Sequence, residues 1–159
     1  DGSHIKGLFI NFIQFFWPHL LQTDFIEEFI TPILKVHPNT KKEQSFFTIP
    51  EFVAWRDDQR AKGITSSVHL KYYKGLGTST SKEAKSYFHH LEKHRIQFVP
   101  SSEPQDDVEA VELAFGKNEN SSQERKDWLH KLKQGTYVHH VDGKLSFQDF
   151  VNQELILFS

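Results

Sequence analysis

Apolar residues recur at three- and four-residue steps through Ile5, Leu8, Phe9, Phe12, Ile13, Phe16 and Leu20, while Ile10 and Phe15 widen the arc. This pattern predicts a first helix buried on most sides, with Pro18 in its last turns. The period then changes. Ile33, Leu34 and Val36 predict a strand ended by Pro38, and after the polar "NTKKEQ" the run "SFFTI" predicts an antiparallel hairpin partner. Pro50 suits a first helical turn, and Phe52, Val53 and Trp55 predict a short amphipathic helix closing near Gly63. "SVHLKYY" reads as a strand leading into "KGLG". Thr80 and Glu83 have capping-box spacing, and Ala84, Tyr87, Phe88 and Leu91 follow with helical period, which predicts a helix from Ser81 to His94.

Beyond it, "PSSEPQDD" reads as a polar linker, "VEAVELAFGK" as a short helix and "NENSSQERK" as a flexible stretch, before Trp128, Leu129 and Leu132 resume a helical face. Asp142 to Lys144, "DGK", predicts a hairpin-type turn between "TYVHHV" and "LSF". The final "FQDFVNQELILFS" reads as a helix. The fold class is mixed α/β, without internal repeats.

At 159 residues, 37% hydrophobic and 14% aromatic, the chain can bury one domain core or two small ones. Cysteine is absent, which removes disulfides, thiolate metal sites and cysteine nucleophiles. Methionine is absent too, even at position 1, so an internal piece of a longer protein is expected. The run from Ile5 to Leu21 is broken by Lys6, Asn11, Gln14, Pro18 and His19, too polar for a bilayer span and wrongly flanked for a signal peptide. With a formal net charge of -2, any nucleic-acid binding must come from a local patch.

"YYKGLGTSTSKEA" is the best candidate for such a patch. Two glycines, a lysine and several hydroxyls precede a helix amino terminus, where backbone N–H groups and the helix dipole both favour an anion. It is not a nucleotide loop: Lys74 precedes Gly75 rather than following the second glycine, and Thr80 stands where a dinucleotide loop needs a third glycine. Two readings stay open, a glycine-dependent strand-to-helix turn and contact with a polyphosphate backbone. Lys71, Lys74, Lys82, Lys85, Lys93, His94 and Arg95 lie near Tyr72 and Tyr73, which fits either a solvated helix face or a nucleic-acid groove.

The histidine pairs His89/His90, His139/His140 and His90/His94 do not converge as zinc ligands, and no H-E-x-x-H is present. No G-x-S-x-G elbow presents a serine nucleophile.

Taken in order, "DGSHIKGL", "EEFITPILKV", "KYYKGLGTSTSKEAK", "HRIQF", "LAFGK", "ERKDWL" and "ELILFS" resemble successive blocks of the eukaryotic type IIA DNA topoisomerases. The resemblance implies an ATP-dependent enzyme that cuts one duplex through a tyrosine, passes a second and reseals. It divides the chain into the end of a Rossmann-like TOPRIM domain (1–28), a small helix/strand TOPRIM-associated region (29–143) and the start of the winged-helix cleavage domain (144–159). Asp1 corresponds to the last aspartate of the family's acidic D-x-D-x-D-G-S-H cluster, which binds Mg2+, so the chain carries only the edge of a metal site.

The family's attacking tyrosine lies downstream of "ELILFS"; none of Tyr72, Tyr73, Tyr87 or Tyr137 matches it, and ATP is bound by a domain outside the chain. Lys74, Gly75 and Gly77 match the family's K-G-L-G block near the gate DNA. Lys117 matches the first position of a basic pair, Asn118 replaces its second lysine, and Gln153 stands where many relatives carry lysine; each replacement implies a salt slope lower by about one unit. The resemblance further implies double-stranded DNA as partner, a homodimeric full-length protein, a nuclear location and an isolated piece without cleavage or ATPase activity. The competing reading is a free-standing, non-enzymatic DNA-binding or interaction module.

Overall fold

A computed structural model describes residues 2–64, 68–133, 135–138, 140 and 142–158. The helices are α1 (Gly2–Phe16), α2 (Ile49–Ala61), α3 (Ser81–His89), α4 (Pro104–Phe115), α5 (Ser121–His130) and α6 (Phe147–Asp149). The strands are β1 (Glu27–Phe29), β2 (Leu34–Val36), β3 (Gln44–Phe46), β4 (Leu70–Tyr72), β5 (Arg95–Val99) and β6 (Lys144–Ser146). They belong to two units, one of Asp1–Glu28 with Ile96–Ser159 and one of Phe29–Arg95. The second unit is thus a continuous stretch inserted into the first. Its ends are tied by a backbone bond from Ile30 N to His94 O at 2.8 Å.

In the two-part unit, α1 buries Ser3, Gly7, Ile10 and Ile13, a helical stripe that packs on α4. Gly7 permits the approach, since a Cβ there would stand 2.7 Å from Phe115 Cζ. The expectation of burial on most sides is not met: Ile5, Leu8, Phe9, Phe12, Phe15 and Phe16 are exposed, Phe15 to 78%. Only the stripe holding Gly7 comes close enough to α4, and no described residue covers the remaining arc. The helix also stops before Pro18, which opens a short 3-10 turn, Pro18–Gln22.

The sheet of this unit has the order β1-β5-β6, and β5 pairs with β6 in parallel, Phe98 opposite Leu145. The hairpin expected at Asp142–Lys144 is therefore corrected. Asp142 and Gly143 do turn with positive φ (52° and 69°), but β6 then runs alongside β5, and none of residues 136–138 and 140 is in a strand, while 139 and 141 lie outside the described residues. Burial decides this, because the parallel register puts Leu145 and Phe147 into the core beside Phe98, whose ring lies 5.3 Å from that of Phe147 and 5.7 Å from that of Phe150. The expected terminal helix is present in three segments: α6, a π turn over Phe150–Glu154 and a 3-10 turn over Leu155–Phe158.

Two polar stretches are more ordered than their composition suggests. The "PSSEPQDD" linker is half helix: Pro104 starts α4, where its missing N–H is harmless, with Asp106 and Asp107 in the first turn. The 118–126 stretch, expected to be flexible, contains the start of α5, which inserts Trp128 into the core and hydrogen-bonds its indole to Asn152 Oδ1 at 2.9 Å.

The inserted unit is an antiparallel sheet of order β3-β2-β4 over α2, with the β2–β3 hairpin formed as predicted. Its core is Leu34, Val36, Phe46 and Phe52, flanked by Ile33, Trp55 and Leu70. Thr48 caps α2 by accepting the Glu51 N–H. The capping box of α3 is present, but that helix ends at His89; His90 leaves helical geometry, and a 3-10 turn over Leu91–Lys93 delivers the chain to β5. The structure is mixed helix and strand, as expected.

Candidate nucleic-acid interface

β4 ends beside β2, where Tyr73 N donates to Ile33 O at 2.9 Å, and the chain then crosses Lys74–Ser79 to reach α3. Gly75 has φ +68°, a conformation strained for any residue with a Cβ. Thr78 Oγ1 fastens the crossing, accepting the Lys74 N–H at 2.7 Å and donating to Gly75 O at 3.2 Å. Gly77 differs. Its φ is unremarkable, and a Cβ built there would meet nothing within 4 Å. The turn accounts for Gly75 but not for Gly77.

Below the loop lies a charged cluster. Lys35, at the centre of β2, is only 4% exposed, and Glu83 of α3 only 9%. Lys35 Nζ donates to Glu43 Oε1 at 2.9 Å and to Glu83 Oε1 at 3.4 Å. Glu83 also accepts the hydroxyl of Tyr73 on Oε1, the N–H and hydroxyl of Thr80 on Oε2 at 2.8 and 2.9 Å, and Lys71 Nζ at 3.4 Å. Burial pushes the Glu83 carboxyl up, but the Tyr73 and Thr80 hydrogen bonds and the Lys35 charge outweigh it and hold the group at about 2. Burial and the hydrogen bond to Glu83 push the Tyr73 phenol well above its ordinary value. For Lys35, burial would lower the ammonium, yet Glu43 and the neighbouring tyrosines leave it raised.

The basic residues divide by this geometry. Lys71 is held by Glu83, and His94 is buried with Nδ1 2.9 Å from Ile30 O and its ring 4.7 Å from that of Tyr87. Lys74, Lys82, Lys85 and Lys93 are exposed and make no ion pair among the described residues. The structure thus joins Lys74, Gly75 and Gly77 in one exposed loop, next to a helix whose first two turns carry Lys82 and Lys85.

The other positions lie in the two-part unit. Lys117 is exposed just past α4, and Asn118 shapes the entry to α5: its Oδ1 accepts the Asn120 N–H at 2.9 Å, and its carbonyl accepts the Ser121 hydroxyl at 3.0 Å. Gln153 is half-buried and donates to Asp149 Oδ1 at 2.8 Å. Asp1 lies outside the described residues, as does His139. Among the described residues no three of His, Asp or Glu group to hold a metal. The carboxylates nearest α1 are already used, since Lys6 pairs with Glu28 at 2.8 Å and with Glu154, which also accepts the Ser3 hydroxyl at 2.7 Å. Burial raises the Glu28 carboxyl despite Lys6. The described residues therefore do not themselves form a Mg2+ site.

The family model for the C-terminal associated domain of TOPRIM matches residues 29–159. The chain belongs to that TOPRIM-associated family. Over its whole length it is 49% identical to DNA topoisomerase 2 of Caenorhabditis elegans, 49% to that of Arabidopsis thaliana and 47% to DNA topoisomerase 2-alpha of Homo sapiens, covering 11%, 10% and 11% of those proteins. The crystal structure of the Plasmodium falciparum topoisomerase II DNA-binding, cleavage and re-ligation domain superposes with a TM-score of 0.87 at 43% identity, over 99% of this chain and 20% of that one. The chain thus spans about a tenth of its full-length relatives, and its TOPRIM-associated region carries the whole loop described above.

Sequence reasoning found the Thr80–Glu83 cap but missed Lys35 and the second role of Glu83. A lysine between Leu34 and Val36 in an apolar run was the available signal, since a central strand position there requires a buried partner.

Proposed function

We propose that the chain is a stretch of an ATP-dependent type II DNA topoisomerase, an enzyme that breaks, passes and rejoins double-stranded DNA, and that its Lys74–Ser79 loop supports the gate duplex through the phosphate backbone. The enzyme class rests on full-length similarity to relatives named DNA topoisomerase 2. The role of the loop rests on Gly77: neither its dihedrals nor its neighbours within the chain require glycine, and a missing Cβ beside exposed Lys74 and Lys82 leaves room for a phosphate chain to approach closely.

In this reading Lys117 is a further backbone contact flanked by Asn118, and Gln153 marks a third position; the two uncharged residues position without adding charge. Asp1 supplies one carboxylate to a Mg2+ site completed by residues beyond the chain, and ATP is bound elsewhere in the protein. Residues 1–28, 29–143 and 144–159 are the end of TOPRIM, its associated region and the start of the cleavage domain. The full-length protein is a homodimer that works in the nucleus, although one relative, 42% identical, is named as mitochondrial in Dictyostelium discoideum. Among the described residues no helix is long and apolar enough to cross a membrane.

The test is duplex binding by the full-length protein over a salt series. Lys74→Ala is expected to weaken binding and reduce the salt slope by about one. Gly77→Ala, which the chain itself accommodates, is expected to weaken binding about threefold or more without altering the fold, as a methyl displaces one backbone contact worth ~1 kcal/mol. Wild-type binding by both variants would leave the loop as a turn and nothing more. Plasmid relaxation with ATP and Mg2+ is expected of the full-length protein and not of the 159-residue chain.

A further inference from the structure

Glu83 contacts both ends of the loop it underlies. Through Oε1 it receives the hydroxyl of Tyr73, the residue before Lys74; through Oε2 it receives the N–H and hydroxyl of Thr80, the residue after Ser79. Tyr73 is 5% exposed and Glu83 9%, so the Tyr73 contact is shielded from bulk water, whereas the contact to exposed Thr80 is only part-buried. Lys35 and Lys71 supply the positive charge that lets the carboxylate stay buried, with Lys71 Nζ also 4.5 Å from the centre of the Tyr73 ring. A capping box needs only the Thr80 side of this arrangement. The Tyr73 bond adds nothing to the helix end; what it does is tie the strand exit to the helix entry across a single carboxylate.

We infer that Glu83 is a positioning residue that clamps both ends of the Lys74–Ser79 loop, and that Tyr73 transmits this constraint to Lys74, presetting its ammonium for a duplex phosphate. The inference rests on the reading of the loop as a DNA-backbone contact and adds how the contact is held. Preorganisation is the physical gain: an exposed lysine on a free loop would lose side-chain and backbone freedom on binding, whereas a clamped loop has already lost part of it. Tyr73 and Glu83 are too buried to touch the duplex themselves.

The test is a double-mutant cycle in the full-length protein, read as duplex affinity. Tyr73→Phe removes one hydroxyl and keeps the ring against Lys71. It is expected to weaken binding about 3- to 10-fold when Lys74 is present, the range of one buried hydrogen bond, and less than about twofold in the Lys74→Ala background. Thr80→Ala, at the other end of the clamp, is expected to show the same dependence on Lys74, and Thr80→Ser, which keeps the hydroxyl, to restore binding. These two variants carry the test if Tyr73→Phe fails to fold. Equal losses with and without Lys74, or no loss from either clamp variant while Lys74→Ala still weakens binding, would overturn the clamp and leave the loop as a DNA contact. Wild-type binding by Lys74→Ala would overturn both.

Discussion

At the scale of single residues, the carboxylate of Glu83 is the most heavily committed group in the inserted unit. Its folded value of about 2 lies below the ordinary 4.5, so its ionised form is favoured by the fold. The stabilisation is present above about pH 4.5 and is lost as pH falls towards 2. Glu83→Gln is therefore expected to destabilise the protein at pH 7 and to approach wild-type stability near pH 2. Urea unfolding at several pH values, followed by tryptophan fluorescence, checks this, and a pH-independent gap between the two proteins would contradict it. Half of this residue's role was legible in the sequence, because Thr80 and Glu83 are local neighbours. The other half was not: Lys35 and Tyr73 reach Glu83 only once β2 and β4 pair with Leu34 opposite Tyr72, a contact between distant parts of the chain.

At the scale of elements, local signals and long-range packing divided the outcome. The helix start at Ser81 and the β2–β3 hairpin followed from short patterns, a cap and a polar turn between apolar runs. The pairing of β5 with β6 joins Gln97 to Lys144, too far apart for any window of sequence to reveal. The start of α5 escaped notice, although its Trp128 end was expected to be helical, because the helix buries little beyond Trp128 and Ser121 and its apolar period is weak. Asp107 looked like a linker residue, yet it is 3% exposed and accepts the N–H of Ser101 at 2.7 Å and of Gln148 at 2.8 Å, bridging the approach to α4 and the start of α6. Asp107→Ala would remove the partner of two half-buried N–H groups and is expected to cost about 1–3 kcal/mol, given ~0.5–1.5 kcal/mol for each hydrogen bond. Urea unfolding followed by tryptophan fluorescence measures it; a loss below about 1 kcal/mol would mean that water reaches those amides.

At the scale of the whole molecule, the chain reads in sequence as three consecutive parts, whereas its compact units are nested: residues 29–95 leave β1 and return through β5, which is its neighbour in the sheet. Aromatic content carries no mark of such nesting, but charge does: residues 29–95 hold twelve Lys and Arg against six Asp and Glu, whereas the rest of the chain holds seven against fifteen. The bond between Ile30 and His94 shows how near the exit and the re-entry lie. The inserted unit therefore begins and ends at one place, as an excisable stretch must. Replacing residues 30–94 by a short turn is expected to leave the amide spectrum of the remaining core recognisable while abolishing whatever the Lys74 loop contributes. Grafting the same stretch onto another host with two adjacent strand ends would carry that loop, its buried lysine and its glutamate along as one transplantable part.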